Sequence, residues 1–278
     1  MAVELSAVML FIAAVVAGAI NAIAGGGGLL VFPSLLLLGV SPISANATSA
    51  AGIWVGMLAS GFAYRTELAA VSNRLGPLTI ATLLGAILGA WLLLNFSDES
   101  FSTVVPYLVA LGTLLFAFSP QLSRLSKQPV EQTVDSTFTC QSIDSTVRKS
   151  ITTNQLPSLN QKALIFGQSL ISIYGGFFGG GAGILMLTLL RITNTGKLQT
   201  LQSVKVWMSL CINAAALSYF VFIGIINWPY AALIAIGTST GGYSSAYFAQ
   251  QIPTPLLRKF VIAIGIALSL YFFWTTYR

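Results

Sequence analysis

Apolar residues come in long runs, interrupted by short polar or glycine-rich breaks, and the runs fall into two matching sets. The first half holds runs at 5–24, 29–38, 45–64, 75–95 and 103–118; the second holds runs at 162–178, 184–191, 201–223, 228–249 and 256–277. A helix needs about 20 mostly apolar residues to cross a bilayer. The long runs therefore predict spanning helices, while 29–38 and 184–191 are too short to cross alone. The order long, short, long, long, long recurs, as in an internally repeated chain. Residues 120–161 separate the sets; rich in Ser, Thr and Gln and without sustained periodicity, they predict a loosely ordered linker. The pattern predicts an all-α integral membrane protein: a first transmembrane repeat at 1–119, a polar linker at 120–161 and a second transmembrane repeat at 162–278.

Each short run follows a glycine cluster. Gly25, Gly26, Gly27 and Gly28 stand between the first two runs, and Gly175-Gly-Phe-Phe-Gly-Gly-Gly-Ala-Gly183, with Gly179, Gly180 and Gly181 at its centre, stands at the matching place in the second set. Glycine costs a helix about 1 kcal/mol per residue against alanine, so each cluster should break its helix. A broken helix at membrane depth is tolerated only where protein or a polar cavity covers the bare backbone. The clusters therefore predict a cavity, faced by the free amides and positive dipole ends of the helices that restart at Leu29 and Ile184. Paired breaks of this kind mark the site between the repeats of a transporter. Close packing through small residues is the competing account, and two long runs at matching places favour the site. At a spacing of roughly 155 positions, Gly25–Gly27 falls on Gly179–Gly181, Thr48-Ser49 on Gln202-Ser203, and Gly85–Ala90 near Gly241–Ala246.

Polar side chains follow each break. Asn46, Thr48 and Ser49 open the next helix in the first half; Gln199, Thr200, Gln202, Ser203 and Lys205 do so in the second. Hydroxyls and amides beside exposed backbone amides make a donor-rich pocket that suits an oxyanion. Ser, Thr and Asn also favour helix starts, so capping competes with ligand binding at Asn46. Lys205 lies about one turn into its helix, where it contacts the substrate or snorkels to the surface. Asn21 and Asn213 are each as readily an interhelical hydrogen bond as a ligand.

Composition narrows the class. Charged residues make up 7% of the chain, against about 25% in a soluble domain, and mean hydropathy is +0.84. The net charge of +6 does not point to nucleic acid, because most basic residues lie in short connections, where they set orientation. Arg124, Lys127, Arg148 and Lys149 place the linker in the cytoplasm; Arg65 and Arg74 place the connection 64–75 there too. Asp98 and Glu99 mark an outer connection, while Arg191, Lys197, Arg258 and Lys259 mark inner ones and leave 223–228 outside. Equivalent connections thus fall on opposite faces. That predicts two inverted repeats, each a glycine-broken helical hairpin plus three spanning helices, with both termini outside; Arg278 is a small departure.

The apolar runs hold no Asp, Glu or His. The usual intramembrane proton relay is missing, as are the paired carboxylates or Ser/His/Asp set an intramembrane hydrolase requires. We expect no enzyme activity. Cys140 in the linker and Cys211 in an apolar run predict no disulfide, metal site or cofactor. The start Met1-Ala-Val-Glu-Leu lacks the basic region of a signal peptide, so 5–24 is expected to stay as a membrane segment.

Three stretches carry a family resemblance: Ala24-Gly-Gly-Gly-Gly-Leu-Leu-Val-Phe-Pro33 with Gly39-Val-Ser-Pro-Ile-Ser-Ala45 and Ala47-Thr-Ser49; Gly176-Phe-Phe-Gly-Gly-Gly-Ala-Gly183; and Gly241-Gly-Tyr-Ser-Ser-Ala246 with Pro255-Leu-Leu-Arg-Lys259. Together they resemble the sulfite exporter TauE/SafE family over nearly the whole chain outside the linker. Thr188 stands where the family often has proline, and Gln202-Ser203 where Thr-Ser is common. The resemblance implies a multi-pass permease of the plasma (inner) membrane for sulfite or an organosulfonate. With the residue reading, it sets the expectation of a secondary transporter, as an exporter, that binds a small sulfur-containing anion through Gly25–Gly28, Asn46, Thr48, Ser49, Gly179–Gly181, Gln202, Ser203 and Lys205. An anion channel with the same pocket, or a membrane scaffold or receptor, stays as the alternative. The expected partners are the anion and the lipid bilayer, without nucleic acid; homo-oligomerisation is left open.

Overall fold

A computed structural model describes residues 2–23, 25–63, 65–71, 75–124, 161–193, 198–248 and 254–277. Among these the chain is all-helical, with eleven helices. The first half gives α1 (Ala2–Ile23), α2 (Gly28–Leu37), α3 (Pro42–Ala63), α4 (Arg65–Val71), α5 (Gly76–Leu94) and α6 (Asp98–Arg124). The second gives α7 (Gln161–Phe177), α8 (Ala182–Thr193), α9 (Leu198–Ile223), α10 (Trp228–Phe248) and α11 (Thr254–Tyr277). The predicted runs become helices, with two differences. The connection 64–75 contains the short helix α4, and α6 begins at Asp98 rather than 103 and runs on to Arg124. At that start the Ser97 hydroxyl accepts the Ser100 amide at 3.1 Å and caps α6, while Asp98 accepts a hydrogen bond from the Ile43 amide at 3.0 Å near the start of α3. Cys140 and most of the linker lie outside the described residues, as do the side chains of Arg258 and Lys259.

Both glycine clusters break the helix, through left-handed backbone. Gly25 has φ +83°, Gly179 +77° and Gly181 +81°, a conformation that costs other L-residues roughly 1–2 kcal/mol. Elsewhere glycine brings helices together. A Cβ on Gly85 of α5 would stand 2.8 Å from the Ser169 carbonyl oxygen of α7, and one on Gly237 of α10 would stand 2.6 Å from Cβ of Ala14 in α1. Gly89 and Gly241, one turn on, meet the Ile173 and Val15 carbonyls. Both helices thus use glycines four apart for close approach.

α1 packs chiefly on α10, and α7 on α5; α3 also packs on α10, and α9 on α5. α3 and α9 run antiparallel. Near the start of α3, Ser44 donates to the Ile225 carbonyl at 2.7 Å and Thr48 accepts from the Asn227 amide at 3.0 Å, both beyond the end of α9. Farther along α3, Trp54 Nε1 donates to the Leu210 carbonyl at 3.2 Å. α6 and α11 pair with Tyr107 against Phe273 and Gly265 against Thr113, again antiparallel.

By length and composition, Gly76–Leu94, Asp98–Phe118 and Thr200–Ile223 are long and apolar enough to cross a membrane, with shorter apolar helices including Gly28–Leu37 and Ala182–Thr193. Large apolar side chains point outward, including Phe222, Leu270 and Leu84. Such a surface requires a lipid environment, and the chain is an integral membrane protein.

Candidate functional site

The two breaks meet. A Cβ on Gly183 would stand 3.0 Å from the Gly25 carbonyl oxygen, and one on Gly25 would stand 3.1 Å from Gly183 Cα. Only glycine lets the two backbones touch here. Beside this crossing, α3 and α9 leave a cavity of about 60 Å³. At roughly 10–15 Å³ for each water-sized centre, it holds a few waters or one compact anion. Gly28 at the start of α2 and Ala182 at the start of α8 both line it, so two helix N-termini with positive dipole ends open on one space.

Lys205 supplies the charge. It is 2% exposed, its Nζ has no hydrogen-bond partner, and a Cβ on Gly25 would lie 3.7 Å from that nitrogen. It therefore does not snorkel: the ammonium stays inside, against the glycine crossing. An ammonium buried without a counter-charge costs several kcal/mol, and no carboxylate lines the cavity. Ser209 and Asn213 follow Lys205 at intervals of four along α9 and line the same space.

On α3, Asn46 and Ser49 line the cavity and are 3% and 4% exposed. Asn46 donates from Nδ2 to the Phe177 carbonyl at the end of α7 (2.9 Å), and Ser49 donates to the Asn46 carbonyl (2.9 Å). These bonds fix the α3 wall and turn the Ser49 proton away from the cavity. Lys205 is left as the charged donor of the cavity; the Leu29 and Ile184 amides, expected to be free, instead donate to the Gly26 and Gly181 carbonyls at 3.1 and 3.0 Å, so the helix starts contribute their dipoles.

Of the residues expected at the site, Gly25, Gly28, Asn46, Ser49, Gly179 and Lys205 line this cavity. The others stand elsewhere. Gly26 packs on the Phe116 ring, Gly27 on the Ala17 carbonyl, Gly180 on Phe178 and Leu29, and Gly181 near Gly112. Thr48 is taken up by the Asn227 amide, and Ser203 donates to the Thr200 carbonyl at 2.8 Å. Gln202 is half-buried and does not line the cavity. Ser209, Phe178 and Gly183 line it although the sequence pattern does not single them out; for Ser209 the signal is its place one turn beyond Lys205. Among the described residues no group of three or more His, Cys, Asp or Glu gathers as a metal site.

Gly25→Ala should lower the melting temperature by several degrees, because the new methyl meets left-handed backbone strain, Gly183 and the Lys205 ammonium together. Gly39→Ala is the control: φ is +80° there too, but a Cβ has nothing within 4 Å. Thermal unfolding in detergent separates strain alone from disruption of the crossing; equal losses in both variants would defeat the expectation.

Comparison with known proteins decides the family. Residues 10–272 match the family described as sulfite exporter TauE/SafE. The chain belongs to the TauE/SafE family. Within it, the chain is 23% identical to a probable membrane transporter protein, ORF9, from Sinorhizobium sp. over 262 residues, covering 94% of this chain and 90% of that one. It is 24% identical to a probable membrane transporter protein of Haemophilus influenzae over 265 residues (94% and 92%), and 25% identical to the probable membrane transporter protein YfcA of Escherichia coli K12 over 264 residues (94% and 87%). No solved structure matches the chain. As a TauE/SafE protein it is a membrane transporter with a small-molecule substrate, working in lipid.

Proposed function

We propose that this TauE/SafE protein is a secondary transporter that exports a small sulfur-containing anion, sulfite or an organosulfonate, across the plasma (inner) membrane. One observation carries the reading: the Lys205 ammonium stands buried and unpartnered in a cavity where two helix N-termini converge. An arrangement of uncompensated positive charge and converging helix dipoles is complementary to an oxyanion. The cavity takes sulfite as it stands, and an organosulfonate only by widening. The family description, sulfite exporter, agrees with both charge and size.

Two inverted repeats supply the alternating geometry. The equivalents α3 and α9 run antiparallel, as do α6 and α11. Exchanging the halves also turns the α1–α10 contact into the α7–α5 contact. Both are what a two-fold axis in the membrane plane produces. Basic residues orient the assembly: Arg65 and Arg191 place the end of α3 and the end of α8 inside, along with the linker.

Sulfite flux into proteoliposomes tests the function. Saturable flux with counterflow supports the carrier, unsaturated conductance moves the reading to a channel, and absence of flux for sulfite, sulfate, thiosulfate and taurine alike defeats it. Topology is tested separately with a membrane-impermeant thiol reagent on intact cells. An added C-terminal cysteine should label and Cys140 should not; equal labelling of both from outside would remove the inverted arrangement.

A further inference from the structure

A second cavity lies along α9, on the other side of the helix face that carries Lys205. Its volume is about 510 Å³. Ser203, Val206, Trp207 and Leu210 line it from α9, at the spacing of one helix face. Leu58, Gly61 and Phe62 face them from α3, and Arg65 and Leu68 close it from α4. Val206 is 6% exposed and lines both cavities. A Cβ on Gly61 would stand 2.8 Å from Leu210 Cδ1 and 3.9 Å from Val206 Cγ1, so the α3 backbone lies directly over this partition.

The charges are ordered along the same line. Arg65 is exposed, its guanidinium 4.1 Å from the centroid of the Phe62 ring, and it donates one hydrogen bond to the Phe62 carbonyl. A guanidinium has five N–H donors, so the others remain for a ligand. Arg65 is the charged residue lining the outer cavity and Lys205 the charged residue lining the inner one; no carboxylate lines either. Two cations thus stand on either side of a short apolar partition.

We propose that the Arg65 cavity is the inner antechamber of the transport path, and that Val206, backed by Leu210, is the partition between it and the Lys205 cavity. The proposal rests on the reading of the chain as an anion transporter. Arg65 concentrates small anions at the mouth, by the electrostatic attraction that raises capture rates at low ionic strength. The apolar partition holds the path shut while it is dry, as hydrophobic constrictions do. Movement of α3 against α9, which meet at Gly61 and Leu210, opens it. The occupant is a compact inorganic anion, because the inner cavity has room for little more.

The test uses full-length protein with Cys140→Ser and Cys211→Ser, in vesicles of each orientation, with sulfite as the probe anion. Val206→Cys should react with a negatively charged methanethiosulfonate reagent from the inner face only, and sulfite should slow that reaction. Arg65→Gln should raise the sulfite concentration for half-maximal flux from the inner face about three- to tenfold at low salt, and the difference should vanish at high salt. Val206→Trp should abolish flux; should it fail to fold, the labelling and the Arg65 arm decide alone. Absence of sulfite flux in the parent protein defeats the transporter reading before any variant is made. Parental flux with Val206→Cys labelled from outside, or with Arg65→Gln unchanged at low salt, overturns the antechamber alone.

Discussion

Replacing Lys205 with methionine should abolish transport and at the same time make the protein more stable. The two signs come from one fact. The ammonium is 2% exposed and has no hydrogen-bond partner, and an unpaired buried charge costs several kcal/mol in the empty protein. Methionine has similar length, is flexible and fills irregular space, so the change removes that cost without opening a large cavity. For a chain of this size each kcal/mol recovered raises the melting temperature by about 2–4 °C, and a gain of several degrees is expected in the absence of substrate. Flux should fall by about a hundredfold or more, the scale expected when a desolvated anion is deprived of one charge-assisted hydrogen bond. Sulfite should also stabilise the parent protein and leave the Lys205→Met variant unmoved, since a ligand that binds only the folded state stabilises by mass action. Thermal unfolding in detergent with and without sulfite, beside flux in proteoliposomes, checks both halves. A variant that melts lower than the parent and still transports would place Lys205 in the scaffold instead.

The membrane helices are legible in the sequence because a bilayer demands long apolar runs, and the breaks because four glycines cannot hold a helix together. What the sequence does not determine is which member of a glycine cluster does what. Gly25 carries φ +83° and meets Gly183, whereas its neighbour Gly27 has an ordinary helical backbone and packs on Ala17. Those roles depend on how the two breaks cross, a contact between residues more than half the chain apart. The same holds for the hydroxyls. Ser49 and Thr48 are adjacent, but Ser49 lines the cavity and Thr48 turns a quarter of the way round α3 to the Asn227 amide. Lys205 is the sharpest case. A lysine this near the start of an apolar run normally reaches the surface; here the crossing of the two glycine breaks and the α3 wall that carries Asn46 and Ser49 face Lys205 and shut the side chain in. The pattern of apolar runs does not reveal that the breaks cross at Gly25 and Gly183, and without that crossing it cannot reveal the burial of Lys205.

Sulfite export should follow the membrane potential and need no proton or sodium gradient. The apolar runs hold no Asp, Glu or His, and a proton-coupled carrier normally titrates such a group during its cycle. The described acidic side chains are engaged or exposed elsewhere. Glu67 lies on α4 and accepts from the Thr66 hydroxyl, Asp98 is engaged by the Ile43 amide at a helix end, and Glu99 is exposed beside it. None lines the cavity. Export of an anion has its driving force already: a cell interior about 100 mV negative favours outward movement of each negative charge by roughly 2.3 kcal/mol, about a fiftyfold gradient for a monoanion. Lys205 sharpens the expectation, because it neutralises one charge while the anion is held. A monoanion then crosses as a neutral complex and moves charge only when the empty, cationic site returns, whereas a dianion crosses with net charge. The flux of both should respond to voltage, with the return of the empty site as the sensitive step for the monoanion. Proteoliposomes with a valinomycin-set potential, equal pH on both sides and no sodium provide the measurement. Outward-directed flux should rise with favourable potential until return of the empty site saturates, and the steady-state gradient of a monoanion should grow about tenfold for each 60 mV. Flux that ignores the potential and follows an imposed pH gradient would mean that sulfite moves with its own proton; flux that follows sodium would mean that backbone carbonyls at the glycine crossing hold a cation. Either outcome would overturn potential-driven export.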